Sequence, residues 1–275
     1  MRRVTFAKVE SLQNDFVVVS ATGNLRWWTP ERAAAICDRR TGVGADGLIL
    51  LSAETSQGIR FRLFNADGSR AEWSGNGVRG AAALLAAGDP RRREWRFLTG
   101  AGTIRVTIRH LGAQRVEAAF VHPIPQVSAA AVPRVSSPRG VDGPYAVQAG
   151  NPHWVFLVRD FGFQWEELGA QCQRLPEARP TGGINVEFVC VHSRRVIELR
   201  IFERGVGPTP ASGSGALSAY AACRHYGLVD RTIRVLSPGG EQQAAWDSAG
   251  NEVRLSAPAQ IVCTGIWFRP VIRRD

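Results

Sequence analysis

The chain has 275 residues, 44% of them hydrophobic, and a formal net charge of +10. Such a length supports one large domain or two of ordinary size around a real core, and no apolar run reaches the ~20 residues that would span a membrane. The charge is almost all arginine and is scattered. No helix-turn-helix, zinc-finger or aromatic–basic pattern accompanies it, so the expected partner is a small acidic molecule and not a nucleic acid.

The N-terminal residues have no apolar signal core, which sets a cytoplasmic expectation. Val4 to Val9 alternates and predicts a strand. Ser11 to Val19 predicts a turn and a second strand, hence a hairpin, with Asn14 as a turn residue closing its own backbone. Thr29 and Pro30 predict the N-cap and first position of a short helix that reaches Cys37. Residues 41–51 predict a Gly-rich turn into a buried strand. No Gly-Lys-Ser/Thr and no dinucleotide spacing follows, so no nucleotide cofactor is implied. Ile59 to Phe64 predicts a strand, 65–80 a polar Gly-rich loop, and Ala81 to Ala87 a helix. Arg91, Arg92, Arg93 and Arg96 mark a surface turn after Pro90. Strands are expected at Glu94 to Leu98 and Thr103 to Arg109. The stretch 123–144, with Pro125, Pro133 and Pro138, is expected to carry the crossing into a second half.

There the pattern recurs. Val196 to Phe202 predicts a strand, 203–215 a Gly-rich loop and Ala216 to Cys223 a helix. Ser74-Gly-Asn-Gly answers Ser212-Gly-Ser-Gly, 138 residues later. Strands near Ile233 to Leu236, Glu252 to Leu255 and Gln260 to Phe268 close the chain. Each loop thus delivers a serine to a helix N-terminus, where unpaired N–H groups and a positive dipole suit a carboxylate or a developing carbanion. Gly75 and Gly77 leave room for a ligand to approach, and two such halves suggest a site between them. The five cysteines, Cys37, Cys172, Cys190, Cys223 and Cys263, show no paired or metal-ligand spacing. They read as small buried apolar residues, and no metal is expected.

The stretches 65–77 and 203–215 resemble diaminopimelate epimerase, whose loops read Asn-Ala-Asp-Gly-Ser-x-Ala-x-x-Cys-Gly-Asn-Gly and Glu-Arg-Gly-x-Gly-Glu-Thr-x-Ala-Cys-Gly-Ser/Thr-Gly. Thr41 to Gly47, Gly150-Asn-Pro-His153 and Asn185-Val-Glu-Phe188 extend the resemblance, which runs from about Val4 to Phe268. Both family cysteines are serine here, Pro208 replaces a Glu, Trp73 a Met or Gln, and Gly80 a common Cys. Ser11 and Gln13 replace glycines of the first turn. The resemblance implies an α/β (α+β) fold of two pseudo-symmetric halves, residues 1–117 with 263–275 and residues 118–262. Each half would be a curved mixed sheet around a central helix. It implies a cofactor-independent isomerase of a small amino acid or related acid, placed in lysine biosynthesis, with a homodimer among the assemblies it allows.

By that resemblance His153 and Glu203 stand beside the two reacting positions. Asn14 helps bind the substrate, Asn65, Asn151, Asn185 and Arg204 hold its distal end, and Gly75, Asn76, Gly213 and Ser214 surround its reacting carboxylate. Inverting an α-carbon needs an acid and a base on opposite faces. Thiols suit this, with a pKa of ~8.5 that a helix N-terminus lowers; a serine acts as a base only if another group takes its proton. On residue type alone Ser74 and Ser212 read first as N-caps and His153 as a structural histidine. Three readings follow: an epimerase using Ser74 and Ser212 with His153 and Glu203; a scaffold repurposed for another reaction or for binding; or serines introduced to trap a complex, which would leave Trp73, Pro208 and Gly80 unexplained.

Overall fold

The computed structural model describes residues 3–20, 25–112, 114–128, 132, 135, 138–247, 249 and 251–268; Pro133 lies outside them. The chain forms two compact units, one from residues up to 120 and from 258 on, the other from residues 121–257. Each is a curved mixed sheet wrapped round one central helix.

The first unit holds β1 (Arg3–Ser11), β2 (Asn14–Ser20), α1 (Pro30–Cys37), β3 (Gly47–Thr55), β4 (Gly58–Asn65), β5 (Arg70–Ala71), α2 (Gly75–Gly88), β6 (Glu94–Thr99), β7 (Gly102–His110) and most of β8 (Arg115–Pro123). β1 and β2 pair antiparallel, β2 and β3 parallel, β3 and β4 antiparallel, β4 and β6 parallel, β6 and β7 antiparallel. Each parallel step needs a crossover, and α1 and α2 provide the two. Helix α2 is the central one. Its Val78, Ala81, Ala82, Ala83 and Ala86 are buried along with its first turn, and it packs against β1, β2 and β7. A helix apolar and small on nearly every side fits only inside a curled sheet.

The β1–β2 hairpin is as expected, and its turn is tight. Only Leu12 and Gln13 connect the strands, with φ of 56° and 64°, a two-residue loop that ordinarily takes Asn-Gly. The strand register closes the turn although neither position is glycine. Gln13→Gly is therefore expected to raise the unfolding free energy by about 1 kcal/mol; a urea midpoint that stays put or falls contradicts it. Asn14 does not close its own turn as expected: its Nδ2 donates to Asp46 Oδ2 at 2.8 Å. At α1, Thr29 occupies the cap position with no side-chain cap hydrogen bond; Glu31 takes its hydroxyl instead.

The second unit repeats the order with β9 (Gln126–Ser128), β10 (Val141–Gln148), β11 (Pro152–Val158), α3 (Trp165–Arg174), β12 (Asn185–Ser193), β13 (Val196–Glu203), β14 (Gly207–Thr209), α4 (Gly213–His225), β15 (Thr232–Ser237), β16 (Gly240–Asp247) and the start of β17 (Glu252–Phe268). β10–β11 is antiparallel, β11–β12 parallel, β12–β13 antiparallel, β13–β15 parallel and β15–β16 antiparallel, the sequence of pairings seen in the first unit. Helix α4 is buried without interruption from Gly213 to Cys223. Helix α3, not expected from the sequence, takes the place of α1 and buries Leu168, Gly169 and Cys172.

The sequence predicts two strands after residue 251, and the structure has one. β17 pairs with β16 through Ser256 and with β1 from Gln260 on. Pro258, which has no N–H to give, falls at the changeover between the two ladders, where none is required. Its carbonyl accepts from Ser11 Oγ at 2.8 Å.

Candidate active site

Each unit ends a strand, turns through a Gly-rich loop and opens its central helix on a serine. Ser74 caps α2 with φ −141° and ψ 129°, its Oγ accepting from Gly77 N at 3.1 Å. Ser212 caps α4 with φ −135° and ψ 134°, its Oγ accepting from Gly215 N at 3.2 Å. Both are therefore N-caps. A cap bond uses an oxygen lone pair and leaves the hydroxyl proton free to be passed on, and Ser214 Oγ lies 3.4 Å from Ser212 Oγ.

In the first unit Asn76, 1% exposed, ties the helix start to the hairpin. Its Oδ1 accepts from Arg79 Nη1 at 2.9 Å and its Nδ2 points to Asn14 Oδ1 at 3.4 Å. Asn14 passes the chain to Asp46, and Arg39 bridges Asp46 and Asp15 at 2.7 and 2.8 Å. Burial pushes the Asp15 carboxyl up, but the Arg39 and Lys8 hydrogen bonds outweigh it and hold Asp15 below its ordinary value. Burial pulls the Arg79 guanidinium down to about 9; it lies 4.8 Å over the Phe120 ring. Asn65, the last residue of β4, gives its Nδ2 to Ser69 Oγ at 2.9 Å.

In the second unit Asn185, 6% exposed, is committed at both ends. Its Oδ1 accepts from Arg204 N at 3.0 Å and its Nδ2 donates to Pro152 O at 3.2 Å. Arg204 Nη1 donates to Thr181 O at 2.6 Å, so one nitrogen of its guanidinium is held by backbone. Glu203 ends β13, half-buried. His153 is 1% exposed, with Nδ1 2.8 Å from Glu187 Oε1 and Nε2 2.9 Å from Asn151 Oδ1. No sequence motif marks Glu187 as a site residue. The signal was a lone charge inside the apolar run of β12.

Gly77 and Cys263 depart from expectation. Gly77 does not clear a path for a ligand: a Cβ there would meet Ile49 Cδ1 at 3.2 Å and Phe61 at 3.4 Å, so its bareness serves core packing. Trp73 is turned into the core, edge-on to Phe120 at 5.2 Å. Gly80 leaves space already filled by Val9, whose Cγ2 would be 2.5 Å from an added Cβ. Cys263 is exposed, on an outward position of β17, whereas the other four cysteines are buried. Burial pushes Cys37, Cys172 and Cys223 up to about 12, which keeps them as inert thiols. Among the described residues no group of His, Cys, Asp and Glu could hold a metal ion, and no helix is long and apolar enough to cross a membrane.

The family model of diaminopimelate epimerase matches residues 6–120 and 145–262, both serine loops included. The chain belongs to the diaminopimelate epimerase family. It is thereby an isomerase of the racemase and epimerase type. The diaminopimelate epimerase of Nostoc punctiforme is 34% identical over 95% of this chain and 99% of that protein. The one from Halorhodospira halophila is 36% identical over 94% and 93%. Among solved structures, a Bacillus anthracis phenazine biosynthesis protein of the PhzF family superposes with a TM-score of 0.71 at 14% identity, covering 98% of this chain and all of that one. A hydroxyproline epimerase from Agrobacterium vitis, solved with bound trans-4-hydroxy-L-proline, gives 0.67 at 14% identity over 96% and 92%. These structural likenesses bear on the fold alone.

Proposed function

We propose that the protein is a cofactor-independent epimerase acting at the α-carbon of an amino acid or related small acid, with Ser74 and Ser212 in place of the family's thiol pair. The observation that carries this is the repetition of one arrangement. In each unit the family's reacting position is a serine whose hydroxyl sits at the N-terminus of the buried central helix. There the unpaired N–H groups receive a carboxylate and the dipole steadies carbanion charge. One serine takes the α-proton and the other returns one. A hydroxyl does this only if its own proton has a destination, and His153 and Glu203 are the groups assigned to that task. Asn14 helps bind the substrate and Asn65, Asn151, Asn185 and Arg204 hold its distal end; Gly75, Asn76, Gly213 and Ser214 surround the reacting carboxylate.

One observation favours a second reading, a scaffold turned to another reaction or to binding: no thiol stands at either helix start. Incubation with L,L-diaminopimelate and a panel of other amino acids in deuterated water separates the two. The epimerase reading expects deuterium at an α-carbon, read by mass spectrometry or proton NMR. No incorporation across the panel removes it. Activity that appears only after both serines become cysteine supports the second reading.

A further inference from the structure

The two units carry the same strands and the same central helix, so each serves as a control for the other. Phe16 faces Gly47 across β2 and β3, as His153 faces Asn185 across β11 and β12. Two residues further on, Ile49 faces Val18 and Glu187 faces Val155. Ile49 lies under the first turn of α2, 3.2 Å from where a Gly77 Cβ would be. Glu187 Oε1 lies under the first turn of α4, 2.8 Å from the corresponding point on Gly215. The first unit therefore fills this place with Phe16 and Ile49, 3% and 0% exposed. The second fills it with His153 and Glu187, 1% and 0% exposed.

The fold does not need the charged pair. A buried ion pair is commonly no more stabilising than apolar residues of similar volume, and the first unit shows that the apolar version closes the same sheet on the same helix. The pair is also under-satisfied: Glu187 Oε2 is buried with no hydrogen-bond partner among the described residues. Such an atom calls for an explanation beyond packing.

From this comparison we infer that Glu187 is a positioning residue for the isomerase reaction, holding the His153 ring so that its proton traffic passes through Nε2. The carboxylate lies 2.8 Å from Nδ1 and keeps a proton there, as a buried acid does beside a working imidazole. Nε2 is then the nitrogen left to change state. It donates to Asn151 Oδ1 when the ring is charged. It accepts from the turned amide when the ring is neutral. No bond other than N–H is made or broken: a proton arriving at Nε2 creates the imidazolium, whose charge Glu187 balances, and its departure restores the neutral ring. The helix N-terminus above the carboxylate steadies the anion. Gly215 makes this possible, since any side chain there would occupy the place of Oε1.

The inference rests on the proposed epimerase activity for its kinetic arm only. Nitrogen-15 labelled histidine rings, with the His153 signals assigned by loss in His153→Gln, report the tautomer directly. Wild type is expected to show a protonated Nδ1. Glu187→Gln keeps the shape and is expected to shift His153 toward the Nε2–H tautomer. It should also lower kcat for α-proton exchange at least ~100-fold with KM nearly unchanged. A bare Nδ1 in the wild type overturns the inference, and so does a Glu187→Gln variant with wild-type kcat. Should the wild type exchange no α-proton at all, the epimerase reading falls, and the ring signature by itself supports or overturns the hold of Glu187 on His153.

Discussion

Alanine at Ser74 or at Ser212 is expected to slow α-proton exchange by ~10²–10⁴-fold, the span that a positioned proton-transfer group contributes. The same changes should lower the unfolding free energy by only about 1 kcal/mol each, the usual loss on removing a serine cap. The two effects are separable because they use different parts of one hydroxyl. Its oxygen accepts the cap hydrogen bond, at 3.1 Å from Gly77 N and 3.2 Å from Gly215 N, while the proton is what the reaction moves. Steady-state exchange in deuterated water and urea unfolding on the same samples measure both. An alanine variant that loses about 1 kcal/mol yet exchanges at the wild-type rate would reduce the serines to caps. Cysteine at both positions should do the opposite of alanine in rate, since a thiol at a helix N-terminus ionises far more readily than a hydroxyl.

What the sequence discloses depends on how local the governing physics is. The serine loops, the strands before them and the helices after them are all set within about fifteen residues by glycine, a capping side chain and apolar periodicity, and they form in the expected order, although α2 opens at Gly75 instead of Ala81 and α4 at Gly213 instead of Ala216 because the capped glycine turns are already helical. Helix α3 is different. Its buried Leu168 and Cys172 are sparse, and Gly169 weakens the pattern, but Gly169 is what lets the helix rest on Phe202, whose atoms would be 2.7 Å from a Cβ there. That requirement belongs to the tertiary contact. The same holds for Gly80, read from the sequence only as a departure from the family pattern; Val9, seventy-one residues earlier, explains it. β17 looks like two strands because Pro258 interrupts the pattern, and only the pairing partners show that no ladder bond is lost.

The candidate site divides along the same line. Ser74, Ser212, Asn76 and Ser214 are legible because each sits in a contiguous motif. The partnership of His153 with Glu187 spans 34 positions and joins two strands by parallel register. From the sequence, Glu187 is one acid in an apolar strand. In the structure it is half of a buried pair whose twin positions are Phe16 and Ile49.

That pair is where the largest stability effect is expected. His153→Phe leaves the Glu187 carboxylate buried with both oxygens lacking a partner, because Oε1 loses Nδ1 and Oε2 has none among the described residues. Removing one member of a buried pair typically costs 3–5 kcal/mol, about that much is expected here, and Glu187→Ile alone should cost less because a neutral imidazole is cheaper to strand than a carboxylate. The double variant His153→Phe/Glu187→Ile installs the residues that the first unit already packs beneath its own helix. It should recover stability to within about 1 kcal/mol of wild type, giving a coupling energy of several kcal/mol in a double-mutant cycle. Because the double variant lacks both the ring and its holder, it should be folded and inactive, by circular dichroism and by α-proton exchange. If the two losses simply add, the apolar pair cannot replace the charged one and the comparison between the units fails. If instead stability returns and activity does not, the second unit has kept a charged couple that its architecture can do without, and the reason lies in the proton chemistry of His153.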